Sequence, residues 1–198
     1  MSVADRIRAI LDAEAAAIQS ISVDDGFERA LELMRGCTGK IITVGMGKAG
    51  FVARRFAATL ASTATPAVYI HPSEAAHGDL GLIAEGDCLI AFSTSGKTRE
   101  VLECVDMAAH INRTGSVIAI TSHPDSELRT RANVVLDMGV IAEPCPLGLT
   151  PSASIAAMSA IADALTLTLM EQKGVTREQY GMRHHGGYLG RKARLDNV

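Results

Sequence analysis

The sequence predicts an α/β fold, a doubly wound parallel five-stranded sheet flanked by helices, and three observations carry that prediction. Five short apolar segments, KIITVG, AVYIH, DCLIAFS, GSVIAIT and NVVLDM, are separated by stretches of helix length. None of the five alternates apolar with polar residues, so both faces of the sheet are covered, as parallel sheets require. With 47% hydrophobic but only 4% aromatic residues, the core is built from Ala, Ile, Leu and Val, the usual composition of α/β proteins.

The elements follow in order. Residues 1–36 read as two N-terminal helices, because Ile7, Ile10 and Leu11, then Phe27, Leu31, Leu33 and Met34, recur at helical spacing on either side of the break SISVDD. The α/β core spans 40–175, with helical segments at 48–63, 97–111, 125–131 and 151–173 between and after the strands. The last of these, SASIAAMSAIADALTLTLM, holds Asp163 and several hydroxyls, which reads as a buried helix and not a membrane span. Residues 176–198 form a glycine-rich basic tail ending HHGGYLGRKARLDNV. At 198 residues the whole chain makes one domain, with no repeat or long linker.

Charge and cysteine usage exclude several partners. A formal net charge of −3 gives no general attraction to nucleic acid or to an anionic membrane. Basic residues do gather near the end as Arg183, Arg191, Lys192 and Arg194, where a small phosphate or a subunit contact could use them. Cys37, Cys88, Cys104 and Cys145 are widely spaced and include no C-x-x-C, so they read as reduced thiols. The first 20 residues carry acids throughout and lack the apolar core of a signal peptide. A cytoplasmic location is expected.

In a doubly wound sheet ligands bind beyond the carboxyl ends of the strands, which selects 45–50, 71–79, 93–100, 121–125 and 139–150. The Gly96-Lys97-Thr98 triplet in AFSTSGKTRE suggests a P-loop, but Ala91 stands where the first glycine of that motif belongs. The hydroxyls of Ser93, Thr94, Ser95 and Thr98 at the start of a helix still suit a single phosphate, because orphan N–H groups and the helix dipole both favour an anion. Ordinary N-capping by Ser95 or Thr98 is the competing reading. GMGKAG at 45–50 matches a dinucleotide fingerprint, yet the second strand ends in Ile70-His71-Pro72 with no acid for a ribose. Gly47 in a tight turn with Lys48 as a cation, or a purely structural turn, are the alternatives.

HPSEAAHGDLG brings His71, Glu74, His77 and Asp79 into one loop region without the spacing of a metal site. No metal is expected. AEPCPLGLTPSAS carries Glu143 on a proline-stiffened loop, with Thr150 or Ser152 placed to cap the next helix. A carboxylate so held can serve as a general base, or simply lie in solvent. His184 precedes His185-Gly186-Gly187 in a tail able to reach a pocket in its own or another subunit.

Taken together and in this order, GMGKAG, ATLASTATPAVYIHPSEAAHGDLG, STSG…E, E-x-C-P-L-G-L-T-P and H-x-G-G-x-L-G-R resemble the sugar isomerase (SIS) domain, and more narrowly the arabinose 5-phosphate isomerase family. The resemblance covers nearly the whole chain. It implies interconversion of D-ribulose 5-phosphate and D-arabinose 5-phosphate without a cofactor, in the supply of Kdo-type sugars, by a homotetramer. It places functional roles on Lys48, His77, Glu100, Glu143 and His184, with substrate contacts from Gly47 and Lys97 and phosphate at Ser93, Thr94, Ser95 and Thr98. Members commonly read S-N-S-G-E-S where this chain reads S-T-S-G-K-T, so Lys97 replaces an acid and raises the alternative of another sugar phosphate. Many members continue into paired CBS domains where this chain stops, so a single-domain form without that regulation is expected. A noncatalytic sugar-phosphate-binding module is the reading from a different class.

Overall fold

Parallel pairing in the computed structural model, which describes residues 1–112 and 115–195, joins all five predicted strands. They are β1 (Ile41–Gly45), β2 (Ala67–Ile70), β3 (Cys88–Phe92), β4 (Ser116–Thr121) and β5 (Val134–Asp137). Their order is β2-β1-β3-β4-β5, with Ile41 beside Ala67 on one edge of β1 and beside Cys88 on the other.

The helices are α1 (Val3–Gln19), α2 (Asp25–Gly36), α3 (Gly47–Ser62), α4 (Pro72–Ala75), α5 (Arg99–Ile111), α6 (Ala153–Gln172), α7 (Arg177–Arg183) and α8 (Tyr188–Leu195). Local chemistry sets several of their ends. Ser2 and Asp5 close a capping box at the start of α1, and the Asp24 carboxylate accepts from the Gly26 N–H to start α2.

Successive strand residues point to opposite faces, and the core divides accordingly. Ile41, Ile90, Phe92, Ile118 and Ile120 pack with α2, α3 and α6 on one face. Ile42, Val44, Leu89, Ala91, Val117 and Ala119 pack with α5 and the residues around α4 on the other. Ala91 and Ala119 are small where α5 lies against the sheet. On the first face the Phe56 and Phe92 rings meet edge to face at 5.6 Å. Near the amino end of β1, the buried Asp87 carboxylate accepts from Lys40 Nζ, from the Lys40 N–H and from the Ala84 N–H, each at 2.8 Å.

Three expectations are corrected. The helix foreseen at 125–131 is a single 3₁₀ turn, Glu127–Arg131. The one foreseen from 97 starts at Arg99, because Gly96 has φ +62 and belongs to a turn. The tail, read only as glycine-rich and basic, contains α7 and α8, which pack on each other. Residues 196–198 of that tail lie outside the described residues. Among the described residues α6 alone is long and apolar enough to cross a membrane, and half of its most apolar stretch is buried in the fold.

Candidate active site

After β1 the chain crosses to β2 at the edge, then returns to β3 on the other side of β1, so the winding direction reverses between β1 and β3. A crevice opens beyond the carboxyl ends of strands at such a switch point, and the loops 45–50 and 93–98 flank it. Gly50 explains much of the GMGKAG pattern. A Cβ there would stand 2.6 Å from the Gly45 carbonyl oxygen and 2.9 Å from the Tyr69 hydroxyl, so only glycine lets α3 approach β1 this closely. Tyr69 donates its hydroxyl proton to the same carbonyl at 2.9 Å. Gly47 and Lys48 open α3 and are exposed, and no side chain caps that helix.

The loop after β3 is fixed by the loop after β4. Ser93 donates its N–H to Ile120, Ser122 donates to the Thr94 carbonyl at 3.0 Å, and Leu128 donates to the Gly96 carbonyl at 3.0 Å. Inside the loop the Ser93 hydroxyl accepts from the Gly96 N–H at 3.0 Å and lies 3.1 Å from the Thr98 hydroxyl. Thr98 holds the N-cap position of α5, but its side chain makes no capping bond, and Ser95 instead accepts from the Lys97 N–H at 3.2 Å. The first N–H groups of α5 therefore face outward without the side-chain partner that capping would supply. Lys97 does not offer a free charge, since its Nζ lies 2.6 Å from the Asp125 carboxylate.

His77 follows α4, and Glu100 lies in the first turn of α5. Both line one cleft of about 630 Å³ with Pro72, Ser73, Glu103 and Met107. His71 follows β2 at the N-cap of α4, edge-on to Tyr69, its Nδ1 buried without a hydrogen-bond partner. Among the described residues no group of three or more His, Cys, Asp or Glu side chains is arranged to hold a metal.

Glu143 lies in the loop after β5. One carboxylate oxygen accepts from the Ser152 and Ala153 N–H groups at 2.8 and 2.9 Å, and the other accepts from Ser154 at 3.3 Å. The cap of α6 is thus Glu143 and not the side chain of Thr150 or Ser152, a correction that only the folded loop reveals. Partial burial pushes the carboxyl pKa up, but the donors it faces from Ser154, Ser152 and Ala153 more than offset it, so the pKa falls below its ordinary value. Arg6 of α1 donates through Nη2 to the Pro144 carbonyl, tying the N-terminal helix to this loop. Nothing in the sequence marked Arg6. Cys145 Sγ accepts from the Leu149 and Thr150 N–H groups, both at 3.1 Å.

His184 lies away from the segments described above. Its ring stacks on Tyr180 with centroids 4.0 Å apart, and Nδ1 donates to the Tyr180 carbonyl at 3.0 Å. Tyr180 in turn lines a groove with Met170 and Val175 at the far end of α6, where Lys173 bonds the Ala64 carbonyl just before β2. Glu143 sits at the start of α6, whose 20 residues span about 30 Å. Within one chain the tail histidine and the loop carboxylate lie near opposite ends of that helix.

The SIS domain family matches residues 35–168. Arabinose 5-phosphate isomerase KdsD of Pseudomonas aeruginosa is 41% identical over 173 residues, covering 87% of this chain and 52% of the relative. KdsD of Escherichia coli K12 matches with the same identity and coverage. The chain spans about half the length of these curated relatives. Among solved structures, a candidate phosphosugar isomerase involved in capsule formation from Bacteroides fragilis is 43% identical, with 94% of this chain and 100% of that one covered and a TM-score of 0.92. The c3406 protein of Escherichia coli CFT073 in complex with arabinose 5-phosphate is 33% identical, with 93% and 100% covered and a TM-score of 0.86.

Proposed function

The chain belongs to the SIS-domain family, and from that membership we propose that it is an aldose–ketose isomerase interconverting D-ribulose 5-phosphate and D-arabinose 5-phosphate. The observation that carries the reading is the pair of helix starts at the switch point. α3 with Lys48 and α5 with the braced hydroxyl loop lack side-chain caps, whereas α6 is filled by Glu143. The 41% identity to arabinose 5-phosphate isomerases and the arabinose 5-phosphate complex of a 33% identical protein point to the same sugar phosphate.

Moving a carbonyl between C1 and C2 requires one proton to leave carbon, an enediol(ate) to be stabilised, and one proton to return, so no cofactor is called for. Ser93, Thr94, Ser95 and Thr98, with the N–H groups that open α5, hold the phosphate, and Gly47 lets the sugar approach α3. Lys48 stabilises charge developing on oxygen. Glu143, held ionised and aimed by its three N–H donors, is the carbon base, a role contributing about 10²–10⁴-fold. His77 shuttles protons on O1 and O2, and Glu100 orients hydroxyls across the same cleft.

His184 joins them from a neighbouring chain of a homotetramer, the assembly we assign. The product feeds Kdo-type sugar synthesis in the cytoplasm, and the 198 residues act as one domain. Incubating purified protein with ribulose 5-phosphate and identifying products by chromatography tests the proposal. Arabinose 5-phosphate is expected. No aldopentose phosphate at high protein concentration, alongside retained phosphate binding, would leave a noncatalytic binding module.

A further inference from the structure

We propose that Lys97 sets the affinity of the 93–98 loop for a sugar phosphate by leaving Asp125 for the incoming anion, so that Asp125 acts as a built-in competitor of the substrate. The role rests on reading that loop as the phosphate site. The backbone under Lys97 is immobilised. Gly96 has φ +62, its carbonyl accepts from Leu128, and a Cβ on it would fall 1.6 Å from the Ser126 hydroxyl. The Lys97 N–H is held by Ser95. Lys97 thus stands one residue before the N-cap of α5, where its flexible stem can carry the ammonium either to Asp125 or across the helix start.

Asp125 is equally well placed. Its loop is pinned by Arg129, which donates to the His123 carbonyl at 2.8 Å, and by the Ser126 N–H, which donates to the same carbonyl at 3.1 Å. Arg129 itself is engaged with Asp137 at 2.8 Å. The Lys97–Asp125 pair is the looser part. Its side chains keep 48% and 70% exposure, and pairs so exposed contribute little to stability. A phosphate, with more negative charge and three acceptor oxygens, outcompetes a single carboxylate for the same ammonium. While the loop is empty, Asp125 balances the lysine and keeps the helix start from gathering anions indiscriminately.

Calorimetric titration of the full chain with inorganic phosphate at low salt tests this, comparing Asp125→Asn, Lys97→Met and the double variant. Asp125→Asn should tighten phosphate by about two- to fivefold, Lys97→Met should weaken it by a similar factor, and the gain from Asp125→Asn should vanish when Lys97 is absent. A gain that persists in the Lys97→Met background means general repulsion by Asp125 and overturns the exchange, as does unchanged affinity in either single variant. A wild-type chain that binds no phosphate removes the loop assignment and the exchange together. The expected binding pattern in a protein that turns over no pentose phosphate keeps the exchange and discards the isomerase reading.

Discussion

The Glu143 carboxylate accepts the Ser152 N–H at 2.8 Å across nine residues of chain, making one side chain both the cap of α6 and the acid nearest its N-terminus. Replacing it with glutamine turns an oxygen facing backbone donors into a group with donors of its own. Glu143→Gln should lower stability by about 0.5–2 kcal/mol, the usual range for a lost cap, and cut kcat by about 10²–10⁴-fold with little change in KM. Chemical denaturation and steady-state kinetics separate the two effects. Near-normal turnover in a destabilised variant would leave Glu143 as a cap only. The folded pKa is depressed, so the stabilising contribution is full above the unfolded value and fades as pH falls through the folded one. The stability gap between wild type and variant should close below about pH 4.

Asp87 makes a comparable prediction at the amino ends of the central strands β1 and β3. Its side chain is fully buried, bonded to Lys40 Nζ and to two backbone N–H groups. Burial raises its carboxyl pKa, but the Lys40 side chain and the N–H donors of Lys40 and Ala84 outweigh that and bring it below the ordinary value. Asp87→Ala strands a lysine and two donors, and should cost about 3 kcal/mol in denaturant titrations at pH 7. Here too the contribution is lost as pH drops below about 4. A loss under about 0.5 kcal/mol would mean that water replaces the carboxylate.

The strands were legible because burial on both faces writes itself as unbroken apolar runs, and Ile41–Gly45 and Cys88–Phe92 are buried throughout. Helix starts were less legible where a tertiary partner decides them. Lys97 and Thr98 look helical locally, but the φ of +62 at Gly96 and the Leu128 N–H donated to its carbonyl hold that segment in a turn. Local capping rules look within about three residues, whereas Glu143 caps from nine residues upstream. The separation of Glu143 from His184 was not legible, because residues 173–183 are long enough to carry the histidine back along α6, and only the packing of Tyr180 beside Met170 and Val175 places it at the far end. The Arg6 to Pro144 contact had no signal either, because nothing local to α1 requires it.

Cys145 should be the reactive thiol of the chain. Hydrogen bonds from the Thr150 and Leu149 N–H groups bring its pKa down to about 7, while burial pushes Cys88 up to about 12 and Cys104 up to about 11. Only the thiolate attacks an alkylating agent. Mass spectrometry after brief iodoacetamide exposure should find Cys145 modified first, with a labelling rate that rises through half its maximum near pH 7. Cys88 labelling at an equal rate in the folded protein would contradict the assignment.

The distance between Glu143 and His184 leads to a test of assembly. If one sugar meets both groups, and in each chain they lie near opposite ends of α6, a helix about 30 Å long, the two must come from different chains. Glu143→Gln and His184→Ala oligomers would each lack one group at every site and show little turnover. Co-expressed chains would re-form intact sites wherever the Glu143 of one variant meets the His184 of the other, in about a quarter of random pairings. Activity near that fraction of wild type, in oligomers shown by two affinity tags to contain both chains, is the expected result. Mixed oligomers as inactive as the parents, or full turnover from a species that light scattering finds monomeric, would show that His184 does not act in a neighbour's site.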